Sequence, residues 1–314
     1  MLKIYATPDF NLFSHSMFEK YKFHILLHAI ILMWGFTGIL GKLIHLDALY
    51  LVWHRVAIAL IGLLLYVILT KKSFRIHSKI EFAKIAGVGM LVALHWLFFY
   101  KSIQLSTASL GILCLSTTTL HVAWLEPLVM KRKFSWLELV LGLVVIYGIY
   151  FVSSDFKAND FEALIYGLFA ALFAALFSVF NGKIVQNTPS YKMSFYELLT
   201  ALVFLSLVMI FNGTLNSSLF EMSVSDFLWL LFLGLLCTSF AFLATIEVVK
   251  KLGAFTVSLS INLEPVYTIL LAIFLLHEHT VLGKQFYIGS LIIIFVVIAN
   301  PIITYYFFKI NTFL

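Results

Sequence analysis

Ten apolar segments run along this chain, at residues 24–44, 48–70, 83–103, 107–130, 136–154, 162–183, 193–212, 226–249, 255–276 and 285–308. Each is near the roughly 20 residues that carry a helix across a ~30 Å hydrocarbon core. They fall five to each half, and five is odd. A chain that crosses a bilayer five times ends opposite to where it began, so the second set of five must enter from the other face. The pattern predicts an all-α integral membrane protein of ten transmembrane helices, arranged as two inverted five-helix repeats.

Composition agrees. The chain is 62% hydrophobic and 11% charged over 314 residues, too few charges to cover a soluble core of that size. Barrel-like alternation is absent, which leaves helices as the way to satisfy backbone groups in lipid. The first segment is not a convincing signal peptide: no small-residue cleavage site follows it, and Gly35, Gly38 and Gly41 look like packing positions. Residues 1–20 show no helical periodicity, and Met17 is a candidate natural start. The expected organisation is a short cytoplasmic tail (1–21), a first repeat (22–154) and a second repeat (155–314), together one membrane domain.

The net charge of +6 is a matter of sidedness rather than of an anionic partner. With the N-terminus inside, sixteen Lys and Arg residues fall at cytoplasmic ends and four, Lys42, Lys101, Lys157 and Lys284, fall outside. That asymmetry is a strong positive-inside signal. It places both termini in the cytoplasm and the chain in the plasma membrane, and it argues against nucleic acid. Cys114 and Cys237 lie inside apolar segments without metal-site spacing and are expected to be packing residues.

The halves can be traced onto each other. Gly41-Lys42 matches Gly182-Lys183 at an offset of 141, residues 94–101 match 240–247 at 146, and Gly142 matches Gly289 at 147. On this register the partners of Glu264 and Pro265 are Thr117 and Thr118. Glu126-Pro127, displaced by eight or nine residues, is a look-alike. The site between the repeats is therefore expected to have one acidic wall and one hydroxyl wall.

Several local marks carry a family resemblance. They are Trp34-Gly35; Lys101-Ser102-Ile103-Gln104-Leu105 leading into Thr107-Ala108-Ser109; Pro265 followed thirteen residues later by Glu278; and Gly289. In this order, over residues 22 to 305, the chain resembles the drug/metabolite transporter superfamily, EamA-type branch. The resemblance implies export of small metabolites or drugs through a cavity between the repeats. The chain departs from the pattern where His277 and His279 flank Glu278, positions at which such sequences usually show Gly and a basic residue. It departs again where Leu125-Glu126-Pro127 sits near the cytoplasmic end of the fourth segment.

Ionisable residues inside apolar segments each cost about 2.5–3.5 kcal/mol on insertion scales, so they mark function by default. Glu264 stands out. Thr256, Ser260, Glu264 and Thr268 recur every four residues, with Tyr267 alongside, and Pro265 frees the Ile261 carbonyl and predicts a kink. Broken helices at mid-depth are where transporters coordinate solutes. Glu264 opposite His95 and Arg55 could contact both charges of a zwitterion. The expected substrate-binding set is Trp34, His95, Tyr100, Thr117, His121, Ser260, Glu264 and Tyr267. Arg55, Lys101, Glu126, Glu197, Glu247 and Pro265 are expected to gate or couple. Small residues Ala170, Ala171, Ala174, Ala175 and Ser178 predict close helix contact.

His277-Glu278-His279 lacks the spacing of a helical zinc site, and no phosphate-cradling glycine loop is present. No metal, cofactor or enzymatic activity is expected. The sequence predicts a secondary transporter that exports or exchanges a small polar or amphipathic metabolite, an amino acid or amine being favoured, by alternating access. A nucleotide sugar or a drug is the alternative substrate, and a non-transporting scaffold or accessory subunit the alternative function. The expected partners are the substrate, a proton as candidate coupling ion, and membrane lipid around a monomer.

Overall fold

A computed structural model describes residues 10–76, 78–131, 134–154, 158–184, 188–252 and 254–311. Of the basic residues that set sidedness, Lys3, Arg132, Lys133 and Lys157 lie outside it. The described residues form thirteen α-helices: α1 (Phe10–Leu43), α2 (Ala48–Leu69), α3 (Lys79–Leu105), α4 (Ala108–Leu115), α5 (Thr118–Met130), α6 (Trp136–Val152), α7 (Ala158–Ile184), α8 (Ser190–Phe211), α9 (Val224–Leu231), α10 (Ala241–Leu252), α11 (Ala254–Ile261), α12 (Glu264–Leu275) and α13 (Lys284–Asn311). A π-helical segment, Phe232–Phe240, joins α9 to α10. Helix α1 begins at Phe10, so the helix runs back into residues that lack periodicity of their own. Extending a formed helix by one residue gains a hydrogen bond for each residue fixed and needs no new nucleus.

Seven stretches are long and apolar enough to cross a membrane: Tyr21–Leu43, Ala48–Leu69, Lys79–Leu105, Ala108–Met130, Asp160–Ile184, Ser190–Phe211 and Val224–Leu252. Shorter apolar helices, Val140–Val152, Glu264–Leu275 and Lys284–Ala299, accompany them. Large apolar side chains such as Leu69, Phe211 and Phe295 point outward, 72–85% exposed. In water such a surface drives association; in lipid it is the expected exterior.

The main seams join one half of the chain to the other. Helix α3 runs along α7, α6 along α13, α1 along α12, and α2 along α8 and the π-helical segment. Helix α3 also packs on α8, and glycine lets the α6–α13 and α3–α8 pairs touch backbone to backbone. A Cβ on Gly289 would sit 2.5 Å from the Gly148 carbonyl oxygen, and one on Gly89 would sit 2.4 Å from that of Glu197. Gly35 and Gly38 lie against Thr268, and Gly41 against the Tyr100 ring. Ala170, Ala171, Ala174 and Ala175 are buried, while Ser178 is exposed and takes no part in that contact.

Polar turns gather at two ends. At one, His45 donates its backbone N–H to Asp226, Gln104 donates to the Leu46 carbonyl, Lys101 approaches Asp47 at 3.9 Å, and Ser106 donates to Asp160. At the other, Tyr196 donates to the Phe74 carbonyl, Lys192 to that of Arg75, and Thr188 to Glu81. Asp47, Ser78, Thr107 and Ser223 cap α2, α3, α4 and α9 with their side chains.

Candidate functional site

Two broken helices set the depth of the site. Between α4 and α5 the chain turns at Ser116 and Thr117; between α11 and α12 it turns at Asn262 and Leu263. The boundaries repeat at one offset: Ala108 and Ala254 begin α4 and α11, Leu115 and Ile261 end them, and Thr118 and Glu264 restart the helix, all 146 residues apart. This register corrects the sequence alignment by one residue and sets Thr118, rather than Thr117, opposite Glu264. The breaks have different chemical causes. Pro265 at the start of α12 supplies no N–H to the preceding turn. In the first half, hydroxyls take up the freed carbonyls: Thr117 donates to Cys114 at 2.7 Å, Thr118 to Leu115 at 2.7 Å and Thr119 to Ser116 at 3.2 Å. The polar stripe expected through Ser260 and Glu264 is therefore divided between two helices.

Arg55 on α2 is 4% exposed and is held by neutral groups. Its Nε donates to Thr238 Oγ1 at 3.1 Å and one terminal nitrogen to the Tyr100 hydroxyl at 3.1 Å; its guanidinium lies 4.0 Å from the centre of the Trp96 ring. Tyr100 and Trp96 come from one face of α3. Thr238 comes from the π-helical segment, where its own hydroxyl donates to the Leu233 carbonyl five residues back. Among the described residues no carboxylate lies within ion-pair distance of Arg55 and no other Lys or Arg is buried. A buried cation with neutral partners is costly unless an anion can reach it.

Glu264, the first residue of α12, is half-buried, and its carboxylate accepts no hydrogen bond from a described residue. His95 is 7% exposed, donates from Nδ1 to the Ala170 carbonyl at 2.9 Å and stacks on Phe99. The α1 face connects the two charges. Tyr100 packs on Gly41, while Thr268, one turn after Glu264, donates to the Gly35 carbonyl. Trp34, Leu263 and Tyr267 are half-buried against one apolar cluster that includes Leu27, Ile30 and Ile31, and the Tyr267 hydroxyl meets His28 Nδ1 at 2.9 Å. Ser260 is half-buried on α11 and donates to the Thr256 carbonyl.

Other candidates stand apart. Lys101 is at the end of the bundle beside Asp47. Glu247 is exposed and paired with Lys250 at 2.7 Å on its own helix. Glu197 is buried on α8 against α3, with Oε1 unpartnered among the described residues. His121 and Glu126 are half-buried on α5, His121 edge-on to Trp124. Sequence reasoning missed Thr238 and the π-helical segment, because nothing in Phe232–Phe240 distinguishes π from α pairing. It also took Glu278 only as a family mark, although Glu278 is buried and accepts from the backbone N–H groups of Ala108 at 2.7 Å and Ser109 at 3.1 Å.

Apolar helices long enough to cross a membrane, with two breaks at matching positions in the two halves, are those of an integral membrane protein. The family model of EamA-like transporters matches residues 22–154 and again 162–300. The chain belongs to the EamA-like transporter family, with one family unit in each half. It is 23% identical over 248 residues to the uncharacterized transporter YdfC of Bacillus subtilis (strain 168), covering 76% of this chain and 77% of that one. A solved crystal structure shares the fold, with a TM-score of 0.61 at 14% identity over 88% of this chain and 96% of the other.

Proposed function

We propose that this integral membrane protein is a secondary transporter that exports or exchanges a small polar or amphipathic metabolite by alternating access, an amino acid or amine being favoured. In this reading the chain crosses the plasma membrane ten times as two inverted repeats, with both termini cytoplasmic, and works as a monomer. The observation that carries it is that Arg55 and Glu264 are groups of opposite sign inside apolar helices, each without an ion-pair partner among the described residues. A substrate bearing an ammonium and a carboxylate supplies each with its missing partner. Thr118, Trp34, His95 and Tyr267 would complete the walls. One buried guanidinium is too sparse a cation set for a nucleotide sugar. The equal offset of both helix breaks supports equivalent roles for the two halves, and Glu264 and His95 are the groups through which a proton would couple.

The test is a substrate screen on purified protein. Amino acids and amines should raise thermal stability, and the hits should be exchanged by proteoliposomes loaded with the same compound. Stabilisation and exchange by nucleotide sugars alone, or exchange of no metabolite at all, would contradict the proposal.

A further inference from the structure

The two half-helices that meet at the candidate site also meet at their far ends. Helix α12 starts at Glu264 and stops at Leu275; Glu278 follows in a short 3-10 turn. Helix α4 stops at Leu115, beside the Thr117 break, and starts at Ala108. The helices pack against each other. Where they end together, the Glu278 carboxylate spans the seam between the halves, with one oxygen on Ala108 N–H at 2.7 Å and the other on Ser109 N–H at 3.1 Å.

The local chemistry makes this a strong contact. The first N–H groups of a helix have no intrahelical acceptor, and the helix dipole favours an anion there. Thr107 accepts from Leu110 N–H, so Glu278 takes the two donors that Thr107 leaves. Glu278 is 5% exposed. Charge-assisted hydrogen bonds in such a dry setting are among the stronger ones. The Ser109 hydroxyl beside it is fully buried and unpartnered among the described residues.

At the 146-residue offset that relates the helix breaks, the sequence has Arg132 where the second half has Glu278, and a guanidinium has no acceptor atom for backbone N–H groups.

We propose that Glu278 is a latch that holds the repeats together at this end of the transporter, and that its release from Ala108 and Ser109 is the step that opens the site to this side. The proposal rests on the alternating-access reading. Each half-helix is a rigid rod between site and latch, about 12–18 Å long at 1.5 Å per residue. A movement at Glu264 or Thr118 on substrate binding is thereby transmitted to the Glu278 contact. Both rods end at that contact, so they cannot part at that end while it is made.

The test uses full-length protein in membranes, with Cys114→Ala and Cys237→Ala and a single reporter, Asn262→Cys, at the helix break. Glu278→Ala should raise the rate at which an impermeant maleimide labels the reporter from the Glu278 side by at least about tenfold, a shift of about 1.4 kcal/mol toward the open state. Glu278→Gln, which keeps one acceptor oxygen, should fall between. Rates within about twofold of the parent in a correctly folded variant would overturn the latch. A second arm covers a variant that fails to fold. Ala108→Cys with Glu278→Cys, joined by a short bis-methanethiosulfonate linker, should block labelling from that side until the linker is reduced. Unimpeded labelling with the linker in place would overturn the latch equally. If labelling behaves as expected and no amino acid or amine is exchanged, the latch stands and the substrate reading fails.

Discussion

Arg55 donates to the Tyr100 hydroxyl at 3.1 Å, and both side chains are buried between α2 and α3. The cation is therefore positioned by a neutral group that leaves its charge uncompensated, with Trp96 packed on its face. If that charge serves substrate rather than folding, Arg55→Met should keep or raise thermal stability, because an apolar side chain of similar length replaces a costly buried ion. Substrate exchange by the same variant should fall about ten- to a hundredfold, the loss of one charge-assisted hydrogen bond worth about 1.5–3 kcal/mol. Equal losses of stability and exchange would mark Arg55 as a structural residue.

The α3–α8 seam makes a paired prediction from two glycines. A Cβ on Gly89 would meet Thr200 Oγ1 at 2.0 Å and the Glu197 carbonyl oxygen at 2.4 Å, and a backbone oxygen cannot move aside cheaply. Gly89→Ala should destabilise by about 1–3 kcal/mol. Gly87, two residues earlier, has nothing within 4 Å of the same atom. Gly87→Ala should stabilise by about 0.5–1 kcal/mol through helix propensity. Thermal unfolding in one detergent should separate the two in opposite directions.

His277 has φ of 54°, in the left-handed region, and Lys131, at the same 146-residue offset, has φ of 56°. A side chain there costs about 1 kcal/mol that glycine avoids. His277→Gly should raise stability by about that amount without altering exchange; a lower unfolding temperature would mean that the imidazole makes a contact worth more than the strain.

Sidedness can be read from two exposed positions at opposite ends of the bundle, His45 and Lys72. With Cys114 and Cys237 replaced by Ala, His45→Cys should be labelled by an impermeant maleimide on intact cells, and Lys72→Cys only after permeabilisation. The reverse pattern would invert the proposed topology.

Much of this architecture is legible in the sequence because lipid allows few solutions. Segment length, the charge asymmetry and Pro265 lead to the apolar helices and to the break before Glu264. The matching break at Thr117 is harder to see, since no proline marks it and three hydroxyls do the work through local backbone bonds. Arg55 is visible as an intramembrane cation, but its seat depends on Thr238, which π pairing delivers. Gly62 and Gly234 bring α2 and this segment close together, with no Cβ room to spare on either side, and nothing in the local composition signals the pairing. Glu278 shows the same limit: its partners lie 169 and 170 residues away, on backbone atoms that carry no signal in the side-chain sequence. Lys101 and Glu247 lie at helix ends, beside Asp47 and Lys250; position along a segment gives their depth but not the direction of their side chains.

The central claim, that Glu264 carries substrate or a coupled proton, is tested most directly by Glu264→Gln in proteoliposomes. The change preserves size and removes charge, so folding and packing stay comparable. Exchange and pH-driven uptake would be measured from about pH 5.5 to 8, a range that spans neutral pH. The variant should fold normally and lose concentrative transport; where exchange survives, it should have lost its pH dependence. Transport by Glu264→Gln at the parent rate, with the parent pH dependence, would remove Glu264 from the mechanism and contradict the proposed site.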